Sequence, residues 1–377
     1  MHVKGYAAPE TKAAVEQARL LIEQAEALGE PSEDPLLLFS VLYGFWIASH
    51  VASTADMTRT LAAQFLTLAQ KQSGTTPLMI GHRLMGHSLL ITGDVAEART
   101  HYNQAIALYD PAEHRPLATR FGQDSRATVL SYRSIALWLL GYPEAAAVDA
   151  DHALKDAREI GQAATLLNTL AFISLTQTLC GNYAVAAAHA QELFALANEK
   201  GAPLWKAGGM MFQGCVLAMT GKASNAVQMI TPGITAYRST GSTVWMPFIL
   251  SYLARAYAEL GKFDDAWSCI GEAMTAVERT KERWCEAEVN RIAGEIALKS
   301  PGPDVAKAQA YFERALAFAR AQQAKSWELR AAMSTARLWR DQGKREEACD
   351  LLAPVCGWFT EGFDTLDLKE AKALLHA

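Results

Sequence analysis

The residue types that carry out enzyme chemistry are scattered along this chain of 377 residues rather than grouped into a motif. Nine histidines and six cysteines offer bases, nucleophiles and metal ligands. No C-x-x-C or H-E-x-x-H pair occurs, and His82 and His87 are five residues apart, which does not place both on one face of a helix. A G-x-S-x-G motif, a dinucleotide fingerprint and a phosphate loop are also absent. We therefore predict a protein without catalytic residues, a metal site or a cofactor.

Tryptophan is the residue type with the most regular spacing. Four tryptophans follow one another at intervals of about 40 residues: Trp205, Trp245, Trp284 and Trp327. An aromatic row of this kind can hold a sugar, a base or an extended peptide, and it can equally pack neighbouring structural units together. Packing is the favoured interpretation, because large aromatic side chains are mostly buried.

A recurring glycine has the same spacing and indicates the elements that position these residues. Segments such as ELGKFDDA (259–266) recur about every 40 residues, and in each one an alanine follows the glycine by five residues. Seven residues before each glycine the side chain is small. The glycines are Gly93, Gly141, Gly181, Gly221, Gly261 and Gly343, and Ser300 replaces the missing member.

This pattern predicts a stack of helical hairpins. A glycine can adopt the left-handed conformation that ends a helix, and small residues on the two flanking helices let their backbones approach closely. Because one hairpin cannot bury its apolar face alone, successive hairpins must stack. The offsets resemble those of the tetratricopeptide repeat, whose usual unit is about 34 residues. We predict an all-α protein, an α-α superhelix of about eight helical hairpins with a period of about 40 residues.

The repeat divides the chain into three predicted segments. Residues 34–356 are predicted to form the repeats and residues 357–377 a C-terminal capping segment. Residues 1–33 are predicted to contain one amphipathic helix, over 9–29. Its Ala18 lies two periods before Ala98, so this helix is either the second helix of a truncated repeat or a cap.

In a solenoid of this type the first helix of each hairpin lines the concave surface. Counting from the repeat glycines places polar side chains there, and the late repeats are the richest in arginine and asparagine. Arginine suits carboxylate and phosphate groups, whereas the alternative is a solvated face with salt bridges to glutamates. The candidates for this groove are Arg83, His87, Asn168, Arg255, Asn290, Arg330, Arg337 and Arg340.

A long connection is a third candidate region. The interval between Gly93 and Gly141 is 48 residues, eight more than the usual interval, which predicts extra residues over about 109–124. Arg120, Gln123 and Asp124 are its candidate binding residues. Long loops are either functional or tolerated insertions, and we favour an insertion here.

Composition narrows the class of partner and the location. The net charge of −5 argues against nonspecific nucleic-acid binding, which needs a basic surface. The cysteines lie in apolar, helix-like segments and no secretory leader is visible, so we predict reduced thiols in a cytoplasmic protein. Residues 36–53 carry no Asp, Glu, Lys or Arg, but they include Ser40 and His50, and we predict a buried helix rather than a membrane span.

Three stretches, over 82–110, 120–127 and 326–375, resemble the tails of large bacterial signalling proteins. These proteins join a class III adenylate or guanylate cyclase domain to an ATPase module and a tetratricopeptide-like tail, and the tail is similar to the repeat region of MalT-type regulators. Trp327 and Cys356 depart from the pattern. The catalytic motifs of the cyclase and the ATPase have no counterpart in this chain. The resemblance thus implies a sensory or protein-binding module that acts in cis on a signalling domain.

Together these features predict a protein- or peptide-binding repeat module that regulates a signalling protein by binding in its groove. The alternative is a small-molecule sensor in which the groove and the tryptophans hold the ligand. An enzyme built on the solenoid is the least favoured interpretation, and neither a nucleic acid nor a membrane is expected as a partner.

Overall fold

The computed structural model describes residues 20, 34, 36–72 and 74–376. Within these residues the chain forms 18 α-helices and one short 3₁₀ helix, without a strand, which confirms the predicted all-α superhelix. The helix predicted over 9–29 lies outside the described residues, apart from Leu20. Sixteen of the helices pair as eight hairpins, which matches the predicted number.

The hairpins are numbered 1 to 8 in chain order. They are α1 (Leu37–Val51) with α2 (Ala55–Ala69); α3 (Thr75–Thr92) with α4 (Val95–Ala107); then, after the single-turn α5 (Pro111–His114) and the 3₁₀ helix (Arg115–Thr119), α6 (Ser125–Leu139) with α7 (Pro143–Ile160); α8 (Ala163–Leu179) with α9 (Tyr183–Glu199); α10 (Pro203–Met219) with α11 (Ala223–Ser239); α12 (Met246–Glu259) with α13 (Phe263–Thr280); α14 (Glu286–Lys299) with α15 (Val305–Ala321); and α16 (Lys325–Asp341) with α17 (Arg345–Gly357). The last helix is α18 (Leu366–His376).

The repeated glycine ends the first helix of its hairpin. All six glycines of the repeat have a left-handed φ, between 72° and 91°. The alanine five residues later is buried in the second helix; Ala98 and Ala266, for example, have no exposed surface. Gly86 shows how closely the two helices approach, since a Cβ atom there would lie 2.6 Å from the ring of Tyr102. The small residues of the repeat therefore set the distance between the two helices.

The first helices form an inner layer and the second helices an outer one. In α8, 14 of 17 residues are buried, whereas in α9 the buried residues are Ala186, Ala190, Leu193 and Ala197. The uncharged segment 36–53 forms the inner helix α1, which has 15 residues. No helix in the part of the chain that the structure describes is long and apolar enough to cross a membrane.

The superhelix closes on itself after five hairpins. The carbonyl oxygen of Val51, at the end of α1, accepts hydrogen bonds from the backbone N–H groups of Thr243 (2.9 Å) and Val244 (3.4 Å), just before α12. The carbonyl oxygen of Ile91 in hairpin 2 likewise accepts one from Arg283 (2.8 Å), just before α14. Hairpin 1 thus contacts hairpin 6, and hairpin 2 contacts hairpin 7. The concave surface is a packed interior as a result.

The C-terminal segment belongs to the second turn of the superhelix. Helix α18 packs against α16 and α17 of hairpin 8. Before it, Glu361 Oε1 accepts hydrogen bonds from the backbone N–H groups of Glu144 (2.9 Å) and Ala145 (3.0 Å) at the start of α7. In addition, Arg330 Nη2 donates to the carbonyl oxygen of Leu179 (2.8 Å). The end of the chain is therefore attached both to its neighbouring hairpin and to hairpins 3 and 4.

A buried carboxylate joins the two turns. Glu282 has no exposed surface and accepts hydrogen bonds from Ser53 Oγ (3.0 Å), the Trp245 backbone N–H (2.9 Å) and Trp284 Nε1 (3.1 Å). Ser53 follows α1, whereas Trp245 and Trp284 precede α12 and α14. Burial raises the pKa of Glu282 to about 7, although the hydrogen bonds act to lower it.

We expect this carboxyl group to make the stability of the fold depend on pH. Its pKa is raised from 4.5 in the unfolded chain to about 7, so its contribution is complete below pH 4.5 and is lost as the pH rises through 7. The full difference corresponds to about 3 kcal/mol. Glu282→Gln keeps the shape and can accept from Trp245 and Trp284 while donating to Ser53. Urea unfolding between pH 4.5 and 8 should show a flatter profile for this variant, and an unchanged slope would contradict the assignment.

Candidate functional site

A cavity of about 60 Å³ lies inside the first turn of the superhelix. Its wall is formed by the inner helices of hairpins 1 to 5, by α11 and by the segment before α12. This volume is several times the roughly 10–15 Å³ that one water needs, so the cavity has room for a small ligand or for part of a larger one. The aromatic residues of the wall, histidines aside, are Trp46, Tyr132, Phe172, Trp205, Phe212, Tyr237 and Trp245.

Arg83, on α3, is the charged residue of the cavity wall. Its side chain is 2% exposed. Nη2 donates a hydrogen bond to Gln123 Oε1 (3.0 Å), and Nη1 donates to the carbonyl oxygens of Gln123 (3.3 Å) and Phe121 (3.4 Å) and to Ser125 Oγ (3.4 Å). All of these acceptors are uncharged. The guanidinium group is therefore held by several weak contacts and by no ion pair among the described residues.

The connection between hairpins 2 and 3 positions Gln123 for this contact. Asp124 caps α6 by accepting a hydrogen bond from the Ala127 backbone N–H (2.9 Å). The other oxygen of Asp124 accepts from the hydroxyl group of Tyr109 (2.7 Å), and its backbone N–H donates to Thr165 Oγ1 (2.9 Å). The end of the connection is thereby fixed to α6, to α8 and to Tyr109 at the start of the connection.

Two histidines complete the polar side of the wall. Burial lowers the pKa of His50 to about 4 and that of His87 well below 6.5, and in both cases the positive charge of Arg83 adds to the effect. The ring of His50 stacks on Trp46 at 4.9 Å, and that of His87 lies 3.7 Å from Tyr132. Both histidines are therefore neutral at pH 7. Of the described residues in the wall, Arg83 alone is charged.

Several buried polar atoms of the wall lack a hydrogen-bond partner within the described part of the protein. They are Arg83 Nε, His87 Nδ1, Thr128 Oγ1 and Asn168 Nδ2. Buried polar groups in folded proteins are nearly always paired, so a cluster of unpaired ones requires an explanation. Hydrogen bonding to water or to a ligand in the cavity is such an explanation.

The cavity brings together residues from all three groups that the sequence singled out. Arg83, His87 and Asn168 come from the predicted groove, Gln123 from the long connection, and Trp205 and Trp245 from the tryptophan row. The other two tryptophans lie in the packed interior, where Trp284 is 0% and Trp327 is 1% exposed. Trp327 Nε1 donates a hydrogen bond to the carbonyl oxygen of Trp284 (3.1 Å). The row thus continues from the cavity into the core.

The remaining candidates are bonded to neighbouring groups away from the cavity. Arg120 pairs with Asp34 and donates to Ser40 Oγ (2.6 Å), and Asp124 caps α6. The late groove candidates make the following contacts: Arg255 with Glu295 (3.9 Å), Asn290 with the carbonyl oxygen of Glu286 (2.8 Å), Arg330 with Asp367 (2.8 Å), Arg337 with Glu370 (2.9 Å), and Arg340 with the carbonyl oxygen of Leu374 (3.4 Å). Three of the five, Arg255, Arg330 and Arg337, pair with carboxylates, whereas Asn290 and Arg340 contact backbone carbonyl oxygens.

Sequence reasoning missed the cavity residues of hairpin 1. Trp46 and His50 lie on α1, whose hairpin has no repeat glycine; Ser53, with φ of 52°, occupies the left-handed position after the helix. A signal was nevertheless present, because His50 interrupts a long uncharged segment. Gly208 on α10 was also missed; it lines the cavity, and a Cβ atom there would have no atom within 4 Å.

Metal clusters and activated thiols are two other arrangements of reactive groups that could carry chemistry. Among the described residues no group of three His, Cys, Asp or Glu side chains could hold a metal ion. Burial raises the pKa of the Cys180 thiol to about 12 and that of Cys269 to about 11, so neither is a thiolate at neutral pH.

We expect two tryptophans of the row to differ in their effect on stability. Trp284→Ala should lower the free energy of unfolding by about 3–5 kcal/mol, because it opens a hole in a fully packed core. Trp205→Ala should cost less, because Trp205 is partly exposed and borders a cavity. Urea unfolding of both variants measures the difference. Equal losses would show that Trp205 packs like Trp284.

No protein-family model matches this chain, and no curated protein matches it. Solved structures do match. A Rap protein complexed with competence and sporulation factor is 13% identical, with a TM-score of 0.62 over 97% of this chain and 99% of that one. The Rap conjugation gene regulator of plasmid pLS20, in complex with the Phr* peptide, is 11% identical (TM-score 0.54; 97% and 93%). The apo form of the quorum sensor NprR from B. thuringiensis is 13% identical (TM-score 0.53; 92% and 96%). At these identities the likeness shows a shared superhelical repeat fold.

Proposed function

We propose that this protein is a regulatory repeat module that binds a peptide or a segment of a protein in its central cavity and carries out no catalysis itself. One observation carries this proposal: four buried polar atoms without partners surround a cavity in the inner layer. Two of the solved structures with the same fold contain a competence and sporulation factor and a Phr* peptide, which supports a peptide as the occupant by analogy.

The position of the cavity offers a route from binding to regulation. Val51, Val244 and Trp245 line the cavity. The first two also form the hydrogen bond that joins hairpin 1 to hairpin 6. An occupant that contacts these residues differently in an open and a closed superhelix shifts the equilibrium between the two shapes. A partner protein that binds the outer surface or the end of the superhelix then responds to the change in shape that the occupant causes.

We further propose that the regulated partner is a signalling domain of the cyclase or ATPase type, attached to this chain or associated with it. The support is the resemblance of residues 82–110, 120–127 and 326–375 to the tails of such fusion proteins. Helix α18, at the end of the third resembling stretch, is attached to the first turn through Arg330 and Glu361. A change in the pitch of the superhelix would therefore reach this end of the molecule.

A small-molecule sensor is the second candidate. The wall residues Arg83, His87 and Asn168 are at most 3% exposed, so the polar side of the cavity is shielded from solvent. Its volume of about 60 Å³ suits a small ligand as well as one residue of a peptide.

Filling the cavity should abolish binding without unfolding the protein. Gly208→Leu places a side chain in the cavity, and replacing a glycine inside a helix by leucine adds up to about 1 kcal/mol of helix propensity. We expect wild-type protein to select peptides from a random display library, and the affinity of Gly208→Leu for them to fall at least tenfold, as measured by fluorescence anisotropy.

The matched control is Gly271→Leu. Gly271 also lies within a helix, α13, and a Cβ atom there also has no neighbour within 4 Å, but the residue is exposed and far from the cavity wall. This variant should bind like the wild type. Unchanged binding by Gly208→Leu would show that peptides bind elsewhere and would overturn the proposed function.

A further inference from the structure

Arg83 differs from the other deeply buried arginines of the inner layer in its partners. Arg291 forms ion pairs with Glu288 (2.6 Å) and Glu295, and Arg330 forms one with Asp367 (2.8 Å). Arg83 is at least as buried, at 2% exposure, and no carboxylate of the described chain lies within ion-pair distance of it. An isolated buried charge is strongly unfavourable, whereas a buried charge with a counter-ion and complete hydrogen bonds is tolerated. Arg83 therefore has no counter-ion among the described residues.

The groups that face Arg83 supply no negative charge at neutral pH. They are the neutral rings of His50 and His87 and three tyrosines, Tyr43, Tyr102 and Tyr132. Burial raises the pKa of each tyrosine, so the hydroxyl groups remain protonated. Apart from the face of the Tyr43 ring, whose centroid lies 5.7 Å from the guanidinium carbon, none of these groups compensates the positive charge of Arg83.

We infer that the cavity binds a carboxylate, which forms an ion pair with Arg83 and whose short apolar portion packs against the aromatic wall. The inference rests on the proposed function in one respect, that the cavity takes a ligand. The donors that are left over fit two carboxylate oxygens: Arg83 Nε, Asn168 Nδ2, the Thr128 hydroxyl group and His87 Nδ1 in the tautomer that protonates it. A phosphate dianion fits less well, because a single cation faces the cavity and the remaining wall is largely aromatic and aliphatic.

The carboxylate could belong to a short free acid or to the C-terminus or an acidic side chain of a peptide, and the two sources share this chemistry. A cavity of about 60 Å³ suits a short acid or the end of a peptide. Arginine recognises a carboxylate through two parallel N–H donors, so an uncharged amide of the same shape should bind much more weakly.

The first experiment compares butanoate with butanamide on the full chain. Intrinsic tryptophan fluorescence reports binding, because Trp46, Trp205 and Trp245 line the cavity. We expect the wild type to bind butanoate at least tenfold more tightly than butanamide. The second arm uses the peptides selected from the display library. Each peptide is compared with its C-terminally amidated form, and with a form in which Asp or Glu is replaced by Asn or Gln. At least one of the two arms should show the tenfold preference.

Arg83→Gln should reduce this preference to about one, and Arg83→Lys should restore part of it. The matched control is Arg337→Gln, which removes an exposed arginine that pairs with Glu370 away from the cavity, and it should keep the wild-type ratio. The acid-to-amide ratio of the wild type needs no variant, so the test remains decisive if Arg83→Gln folds poorly.

The outcomes separate the two proposals. Peptides that bind with equal affinity in acid and amide forms, together with no preference for butanoate over butanamide, overturn the carboxylate inference and leave the proposed function intact. A preference for butanoate that depends on Arg83, with no peptide bound, supports the carboxylate site and rejects a peptide ligand. No carboxylate preference in either arm, or a preference that persists in Arg83→Gln, overturns the inference.

Discussion

The closed inner layer of this molecule depends on the hydrogen bonds that Thr243 and Val244 donate to the carbonyl oxygen of Val51. They join the first hairpin to the sixth and so close one turn of the superhelix. In an open solenoid the inner helices face water along the groove. Closure removes that water, and each polar group of the inner layer must then be paired within the protein or with a ligand.

The two turns of the superhelix meet this requirement in different ways. In the second turn the inner helices pair opposite charges: Arg291 lies between Glu288 and Glu295, and Arg330 contacts Asp367 of the last helix. In the first turn Arg83 contacts neutral oxygens, and polar atoms of His87 and Asn168 remain unpaired. Two regions with the same architecture therefore differ in whether a carboxylate neutralises the deeply buried arginines Arg83, Arg291 and Arg330. The region around Arg83, which has no such carboxylate among the described residues, borders the cavity, which is why we propose ligand binding in the first turn.

The repeat could be predicted from the sequence because its signal is local. A glycine, an alanine five residues later and a small residue seven residues earlier are enough to define one hairpin, and about eight hairpins follow from the period. Closure could not be predicted in this way, since the pitch of a superhelix depends on small rotations between hairpins that add up over five units. Helical position placed Arg83 and Arg337 in the same predicted groove. Only the three-dimensional structure shows that Arg337 pairs with Glu370, whereas Arg83 borders a cavity.

Trp245 connects the cavity with the closure of the superhelix. Its ring lines the cavity, and its backbone N–H donates a hydrogen bond to Glu282, the buried carboxylate that also contacts hairpin 1 through Ser53. Its φ of 71° lies in the left-handed region, which costs a residue with a bulky side chain roughly 1–2 kcal/mol. A conformation of this kind persists where its surroundings hold it, and here they include both Glu282 and the cavity wall. Because the two contacts share one residue, an occupant that stabilises this conformation also stabilises the closed superhelix. By linkage, closure strengthens binding by the same free energy.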